Sequence, residues 1–241
     1  MADTDNKVFC SWSGGKDSCL ALFRAKQVGA TPTCLVTMMI EDGQRSRSHG
    51  LRQDVVEAQA AVMGLPVIMR ATSWANYEAS FLDALADVKA QGVEVGIFGD
   101  IDLQDHRDWV EHVCASAGMR AEFPLWNESR LGMVLECVDV GIDCRIVSCK
   151  AELMGQEYLG KALTRELAEA LEAQGIDACG ENGEFHTVVV NGPMFHTPLE
   201  LEADGIYEHG GYWAMDYRLS DTLDVVQKGF SDKTNSIYRI K

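Results

Sequence analysis

The sequence has no long apolar segment and few basic residues. None of its apolar runs approaches the roughly 18 residues of a membrane-spanning helix, and its N-terminus, MADTDNKVFC, lacks the basic start and apolar stretch of a secretion signal. The 21 lysines and arginines stand against 37 acidic residues, a net charge of −16. Because basic side chains hold phosphate backbones, extensive contact with nucleic acid is not expected. We predict a soluble cytoplasmic protein without membrane contact.

Cysteine and histidine motifs that bind metal are also missing. No CxxC pair and no HExxH motif occurs, so a structural zinc site is not expected. The scattered cysteines show no disulfide framework and fall inside apolar runs, which predicts buried, reduced thiols. They are Cys10, Cys19, Cys34, Cys114, Cys137, Cys144, Cys149 and Cys179.

Short apolar runs alternate with helical patterns over the first half of the chain. Residues 8–12, 33–40, 66–70 and 95–100 are predicted strands, and the helical segments between them end at glycines. Continuous apolar strands separated by helices are typical of a parallel sheet that is covered on both faces. We therefore predict an open α/β fold.

The pattern changes after residue 123. A loop and helix follow, then a strand at 144–149, a helix carrying Leu163, Leu167 and Leu171, and β-rich stretches to residue 219. The period-two LELEA segment predicts a half-exposed sheet. We place a soft boundary near 123 and predict two parts that share an interface, residues 1–123 and a smaller α+β part at 124–241.

The loop SGGKDS, Ser13 to Ser18, lies between the first strand and the first helix. Gly14 and Gly15 allow close backbone approach, the serines and the helix N-terminus supply donors, and Lys16 adds a charge, a combination suited to phosphate. Asp17 would repel phosphate unless a metal intervenes, so it predicts bridging Mg²⁺. The alternative is a glycine turn that caps a helix. Neither GxxxxGKS/T nor GxGxxG is present.

Two further groups of polar residues are candidates for the same site. Asp100 and Asp102 follow a predicted strand and should face the crevice at the carboxyl edge of the sheet, unless an aspartate there caps the next helix. Near Gly183, the segment CGENGEFHT gathers Glu181, Glu184 and His186, which a surface turn would rarely do.

The one obvious cluster of basic residues can be interpreted in two ways. Arg45, Arg47 and Arg52 form either a solvated loop or a clamp for an anionic substrate. The sequence does not decide between them.

SGGKDS resembles the PP-loop of the N-type ATP pyrophosphatases, which grips the β,γ-pyrophosphate of ATP. Together with GDIDLQDHRDW, PLW and GENGEFHTVVVNGPMF, in that order, it makes nearly the whole chain resemble the diphthine-ammonia ligase family. The resemblance implies a HUP-like ATP-binding domain at 1–123 and a substrate-recognition domain at 124–241. It also implies use of ATP and Mg²⁺ to adenylate a carboxylate, which ammonia then amidates with loss of AMP.

The predicted site follows from the motifs and the resemblance together. Pyrophosphate is expected at Ser13, Gly14, Gly15, Lys16, Asp17 and Ser18, and Mg²⁺ at Asp17. The expected catalytic residues are Lys16, Asp17, Glu181 and Glu184. The expected substrate-binding residues are Asp100, Asp102, Asn182, Gly183, His186 and Thr187.

One motif departs from the family pattern. Archaeal and eukaryotic members read close to EGGEYET or EGGEFET here, whereas this chain has ENGEFHT, with Asn182 and His186 in place of glycine and glutamate. This form of the motif resembles a bacterial branch for which a role in cobalamin salvage has been suggested. The acceptor carboxylate is either protein-borne or a small molecule, and both diphthine and another carboxylate, such as a cobalamin precursor, are candidates. Position 2 is Ala2, so an N-terminal cysteine glutaminase is not expected, and we expect free ammonium or a partner protein to supply ammonia.

Two other classes remain as alternatives. A PP-loop enzyme that thiolates tRNA would use a cysteine pair near the loop, where Cys10 and Cys19 lie, but would also need a basic surface. A non-catalytic ATP sensor would need neither Asp17 nor the acidic motif. The oligomeric state, a homodimer included, is left open.

Overall fold

The computed structural model describes residues 6–220, which form two β-sheets and six α-helices. The strands are β1 (Lys7–Ser11), β2 (Thr31–Met39), β3 (Val67–Ala71), β4 (Val95–Ile97), β5 (Arg120–Glu122), β6 (Asp143–Lys150), β7 (Phe185–Asn191), β8 (Leu201–His209) and β9 (Tyr212–Leu219). The helices are α1 (Lys16–Gln27), α2 (Gln53–Val62), α3 (Tyr77–Ala90), α4 (Gln104–Ser116), α5 (Arg130–Asp139) and α6 (Arg165–Ala173).

The first sheet is parallel, with strand order β3-β2-β1-β4-β5. The predicted open α/β fold is therefore confirmed. The sequence pattern did not reveal β5, because this strand has only three residues, Arg120–Glu122, and both of its ends are exposed. Such a short edge strand leaves no apolar run to read.

The carboxyl ends of β1 and β4 define the crevice of this sheet. These two strands pair with each other although they are far apart in sequence, so the chain order reverses at this point. The loops that follow them come into contact: an ideal Cβ on Gly99 would lie only 2.8 Å from the Ser18 nitrogen. Only glycine allows this approach, and the segment after β4 is thereby packed onto the start of α1.

The second sheet is antiparallel, with order β7-β6-β9-β8. The β-rich prediction is confirmed. The LELEA segment alternates as expected, since Leu199 is buried and Leu201 is half-buried while Glu200 and Glu202 are exposed. Beyond Leu201, β8 is an exposed edge strand. The helix expected around Leu163 begins only at Arg165, after its N-cap Thr164.

One apolar core runs through both sheets. It includes Trp12 and Cys19 from the first part and Cys144 and Val188 from the second. The backbone of β7 also bonds directly to the glycine loop, since the Val189 N–H donates to the Gly14 carbonyl at 2.9 Å. The boundary near 123 stays a prediction, and the outer ends of its two ranges lie outside the described residues.

The cysteines are all free and buried, as predicted. Burial raises the pKa of Cys10 and Cys19, the two thiols nearest to the glycine loop in sequence. In the part of the chain from residue 6 to residue 220, no helix is long and apolar enough to cross a membrane.

The basic cluster joins the two parts. Arg45 and Arg52 both bind the Asp216 carboxylate of β9, and Arg52 also binds Asp204, with Nη2 2.6 Å from Oδ2. Arg47 instead lies over the Trp74 ring, 4.6 Å from its centroid. Neither a solvated loop nor an anion clamp describes Arg45 and Arg52, because their charges are used in internal ion pairs.

Candidate active site

A cavity of about 660 Å³ opens at the carboxyl edge of the parallel sheet. Its wall includes residues from the loops after β1, β2 and β4 and from α3 and α4. The polar lining residues are Ser11, Ser13, Asp17, Ser18, Thr37, Ser46, Ser48, His49, Glu78, Asp100, His106 and Glu181.

The glycine loop forms one wall of this cavity. The Gly15 N–H donates to Ser13 Oγ at 3.3 Å, and the hydroxyls of Ser13 and Ser18 lie 3.1 Å apart. Gly15 is the N-cap of α1 and has no side-chain cap. Two hydroxyls therefore lie at the start of a helix, which suits an anion.

Lys16 does not line the cavity. Its ammonium is buried and donates to the Asp17 carboxylate at 2.9 Å and to the Cys179 carbonyl. Burial lowers the pKa of Lys16, but the Asp17 charge, the Cys179 thiol and the hydrogen bond to Asp17 together outweigh it and raise the pKa overall. Lys16 therefore joins the loop to the segment that precedes the ENGEFHT motif, and it keeps its charge.

Three carboxylates from distant segments share the cavity wall. They are Asp17 on α1, Asp100 after β4 and Glu181 in the ENGEFHT motif. Burial raises the pKa of Glu181 to about 7, with a further contribution from the Asp17 charge. Burial also raises the pKa of Asp100. The site thus concentrates negative charge that a cation would relieve.

Asp102 has a different role from Asp100. It accepts two hydrogen bonds from Arg130, at 2.7 and 2.8 Å, and Arg130 also binds Asp177. The bond from Arg130 lowers the pKa of Asp102. The alternative of helix capping is wrong here, since α4 begins after Leu103 without a side-chain cap. Arg130 and Asp177, which sequence reasoning missed, fix the turn that carries Glu181.

The ENGEFHT motif is held by internal hydrogen bonds. The buried Glu184 carboxylate accepts from the Asn182 backbone at 3.0 Å and from its amide at 3.1 Å. Gly183 has φ of +81° and accepts the Tyr212 hydroxyl at 2.8 Å. Thr187 Oγ1 accepts the Lys16 backbone N–H at 3.1 Å. The motif therefore contacts the glycine loop directly.

His49 is a cavity residue that the sequence pattern did not single out. Its Nδ1 lies 2.6 Å from the Thr187 carbonyl, and its ring centroid is 4.8 Å from that of His186. His186 in turn stacks on Tyr212. Burial lowers the pKa of His49 to about 4 and that of His186 to about 3. The signal available in sequence was the polar stretch SRSHG after a predicted parallel strand.

Gln59 was also missed. It is completely buried, and its amide nitrogen donates to the carbonyls of Gly14 at 2.9 Å and Val189 at 2.8 Å. Its oxygen accepts the Trp12 indole N–H at 2.9 Å. Because C=O and N–H point in opposite directions across a trans peptide, holding the Gly14 carbonyl inward turns the Gly15 N–H toward Ser13.

Aromatic side chains form another part of the cavity wall. Tyr77 packs against Trp74 and Trp109, with centroids 5.6 and 5.5 Å away, and Phe81 lies 6.4 Å from Phe98. All five rings line the cavity. This wall offers flat apolar surface for a ring system.

The structure brings five of the predicted residues to the cavity wall, namely Ser13, Asp17, Ser18, Asp100 and Glu181. The other predicted residues, Gly14, Gly15, Lys16, Asp102, Asn182, Gly183, Glu184, His186 and Thr187, are not in its lining. As described over residues 6–220, that lining includes four carboxylates and two histidines but no lysine or arginine.

A glycine-rich loop at the switch point of an open parallel sheet, beside a cavity lined by hydroxyl and carboxylate groups, is the arrangement of a nucleotide-binding α/β protein. Sequence comparison gives the particular family. The diphthamide synthase N-terminal domain matches residues 6–121, and the diphthamide synthase C-terminal domain matches residues 129–222. The chain belongs to the diphthamide synthase family.

Curated relatives in this family are named diphthine–ammonia ligase. The zebrafish (Danio rerio) protein is 26% identical over 79% of this chain and 84% of its own length. The fission yeast (Schizosaccharomyces pombe) protein is 24% identical over 84% of this chain, which spans only 37% of that relative. A predicted subunit of a tRNA methyltransferase from Methanocaldococcus jannaschii aligns with TM-score 0.41 and 15% identity over 78% of this chain and 98% of its own. Similarity at that level carries no inference.

Proposed function

We propose that the protein is an ATP-dependent ligase that adenylates a carboxylate and then amidates it with ammonia. The observation that carries the proposal is the hydrogen bond from the Lys16 backbone to Thr187 Oγ1, at 3.1 Å. It joins the loop expected to hold pyrophosphate to the motif expected to present the acceptor. The names of the curated relatives support the same reaction class.

The chemistry has two steps. An oxygen of the acceptor carboxylate attacks the α-phosphorus of ATP, and the bond from that phosphorus to the bridging oxygen breaks, so that pyrophosphate leaves. The lone pair of ammonia then attacks the carbonyl carbon of the acyl-adenylate. The carbon–oxygen bond to AMP breaks, and the nitrogen loses a proton to give the amide. In this scheme the Gly15 N–H and the hydroxyls of Ser13 and Ser18 hold the leaving pyrophosphate.

The cavity fits a magnesium ion carried with the nucleotide. Mg²⁺ prefers hard oxygen ligands and is usually held by one or two carboxylates together with substrate phosphates. Asp17 faces the cavity, with Asp100 and Glu181 on the same wall. No group of three or more His, Cys, Asp or Glu residues between positions 6 and 220 is placed to hold a metal by itself. Bound Mg²⁺ would neutralise charge on the departing pyrophosphate, while Lys16 orients Asp17.

The acceptor is a carboxylate that has to reach the nucleotide beside Glu181. Diphthine is one candidate, and the departure of Asn182 and His186 from the usual motif favours a different carboxylate, such as a cobalamin precursor. The acidic wall and the adjacent aromatic rings suit an acceptor with both a flat apolar portion and a polar end. Ammonia is supplied free or by a partner protein.

Both alternatives are less well supported. Thiolation of tRNA would need a reactive thiolate near the loop, but Cys10 and Cys19 are fully buried, which raises the pKa of each thiol. A non-catalytic sensor would have no use for Asp17, Asp100 and Glu181 on one wall.

Incubation with ATP, Mg²⁺ and ammonium, in the presence of either diphthine-bearing elongation factor or a cobalamin-precursor acid, tests the proposal. AMP and pyrophosphate should appear together with the amide in one of the two arms. Asp17→Ala should abolish pyrophosphate release, and so should Asp17→Asn, whose amide oxygen can still accept from the buried Lys16 ammonium and which thermal unfolding should show to be folded. Asp105→Asn, at an exposed carboxylate on α4, should behave as the parent. Turnover retained in Asp17→Ala would refute the metal role, and formation of ADP would refute the reaction class.

The companion variant His186→Glu restores the charge that the usual family motif carries. If the motif sets the acceptor, this variant should shift the preference toward diphthine. Unchanged preference would show that the acceptor is chosen elsewhere.

A further inference from the structure

We propose that His49 is a phosphate ligand of the nucleotide site, donating from Nε2 as an imidazolium, so that the protein takes up a proton when the nucleotide binds. This inference rests on the proposed function, because it requires a nucleotide whose phosphates lie at the glycine loop. It adds a binding residue and a pH dependence to that site.

The first support is the position of the ring. An ideal Cβ on Gly15 would lie well inside 3.0 Å of both Cε1 and Nδ1 of His49. The imidazole therefore covers the backbone of the glycine that begins α1. His49 also lines the cavity. A phosphate held at the Gly15 N–H and the neighbouring hydroxyls would be next to this ring.

The second support is the tautomer, which one contact determines. His49 Nδ1 lies 2.6 Å from the carbonyl oxygen of Thr187, which can only accept, so Nδ1 carries the hydrogen. Over residues 6–220, Nε2 has no hydrogen-bond partner and is not enclosed. In the neutral ring Nε2 is therefore an acceptor, and it faces accessible space.

The third support is the charge of the wall. Four of its side chains, Asp17, Glu78, Asp100 and Glu181, are carboxylic, and its described lining has no lysine or arginine. Two histidines are the remaining basic side chains, and His106 is exposed and lies 3.7 Å from Asp100. His49 is thus the basic group of the wall that abuts the glycine loop.

Proton uptake follows from these contacts. An ionised phosphate oxygen cannot donate, so a bond to Nε2 requires hydrogen there while Nδ1 keeps its own, and only the imidazolium has both. The titratable groups that act on His49 are Lys16 from α1 and His186 from β7. Asp17 acts on His186, and Tyr212 lies beyond His186. In the free protein burial lowers the pKa of His49 to about 4. The phosphate charge raises it, so affinity should increase as the pH falls from the pKa of the complex toward that of the free protein.

The test is calorimetry with α,β-methylene-ATP and excess Mg²⁺ near pH 7, in buffers of different ionisation enthalpy. This analogue cannot be cleaved at the α–β position, so only binding is measured. The wild type should take up between about half a proton and one proton, and its Kd should rise by up to about tenfold per pH unit between the pKa of the free protein and that of the complex. Thermal unfolding of each variant checks that it is folded.

Two substitutions separate the roles of the ring. Asparagine can still donate to the Thr187 carbonyl but does not reach the phosphate, so His49→Asn should weaken binding about ten- to a hundredfold and abolish proton uptake. His49→Gln can donate without a proton, so binding should persist with a Kd that does not depend on pH. His112→Asn, at an exposed histidine on α4, is the matched control and should keep both affinity and uptake.

The possible failures are distinguishable. Tight binding by the wild type without proton uptake, or uptake that persists in His49→Asn, would overturn the inference and leave the proposed function standing. Proton uptake that is lost in His186→Asn but retained in His49→Asn would show that the proton binds to His186, and it would overturn the inference. Failure of the wild type to bind the analogue at all would remove the proposed function and this inference together.

Discussion

The contact between Gly15 and His49 gives a prediction that a single pair of substitutions can test. Gly15 has φ of −102° and ψ of 179°, which any residue adopts, so its backbone does not require glycine. An added Cβ is obstructed chiefly by the imidazole, while the next atom, the Thr187 carbonyl oxygen, would be 3.1 Å away. Gly15→Ala should therefore be harmful because of His49.

The expected magnitude follows from what has to move. The ring must shift to admit a methyl group, at a typical overpacking penalty of about 1–3 kcal/mol, and it then loses the bond to Thr187, which contributes about 0.5–1.5 kcal/mol net. We expect the free energy of unfolding to fall by about 2 kcal/mol, which for a chain of this size lowers Tm by about 4–8 °C. In a His49→Ala background the added cost of Gly15→Ala should drop below about 1 kcal/mol.

The assay is urea unfolding of the four proteins that make up this double-mutant cycle. Gly14→Ala is the matched control, because Gly14 has φ of +84° and meets Leu51 and Gln59 rather than the imidazole. Its cost should be the same with and without His49. An equal cost of Gly15→Ala in both backgrounds would refute the described packing of His49 over the loop.

Three further predictions concern other contacts. Gln59→Leu should raise the KM for ATP more than it lowers kcat, because the Gly14 carbonyl loses a donor that orients the loop; steady-state kinetics with ATP varied checks this, and an unchanged KM would contradict it. Asp216→Asn should lower the free energy of unfolding by about 1–3 kcal/mol, since it weakens partly buried pairs with Arg45 and Arg52; urea unfolding would show it, and Glu202→Gln on exposed β8 is the control. Burial lowers the pKa of His49 and His186 from 6.5 to about 4 and about 3. The two buried neutral histidines therefore make their full contribution to the free energy of unfolding above pH 6.5, and this contribution is lost as the pH falls toward 4. In acid-unfolding curves, His186→Asn should lose less stability over this pH range than the wild type.

Much of the fold could be predicted because it follows from local patterns of apolar residues and glycines. Helices and strands of the first sheet have apolar periods and end at glycines, so their order implied a parallel sheet. The exception, β5, is too short to show a period. The LELEA alternation was right for Leu199 and Leu201, which pack against the core. It does not show where that cover ends, and β8 is exposed beyond Leu201.

The candidate site was only partly predictable for a related reason. Asp17, Asp100 and Glu181 follow motifs or strand ends and lie on the cavity wall. The direction of the Lys16 side chain depends on the Cys179 carbonyl, which is distant in sequence. The role of Gln59 depends likewise on strand β7. A glutamine inside a helical pattern does not indicate that its side-chain amide will form hydrogen bonds with three buried groups. Contacts of this kind can be identified only from the folded structure.

The bond between Lys16 and Thr187 has a consequence for how the site comes into being. The two residues are 171 positions apart. Gln59 on α2 and Val189 on β7, which both contact the glycine loop, are 130 positions apart. The entropy of closing such long loops is lost before the contacts stabilise the chain, so we expect these contacts to form late in folding. The glycine loop therefore reaches its final shape only after strand β7 has docked, and a growing chain on the ribosome has no finished nucleotide site until nearly all of residues 6–220 have been synthesised.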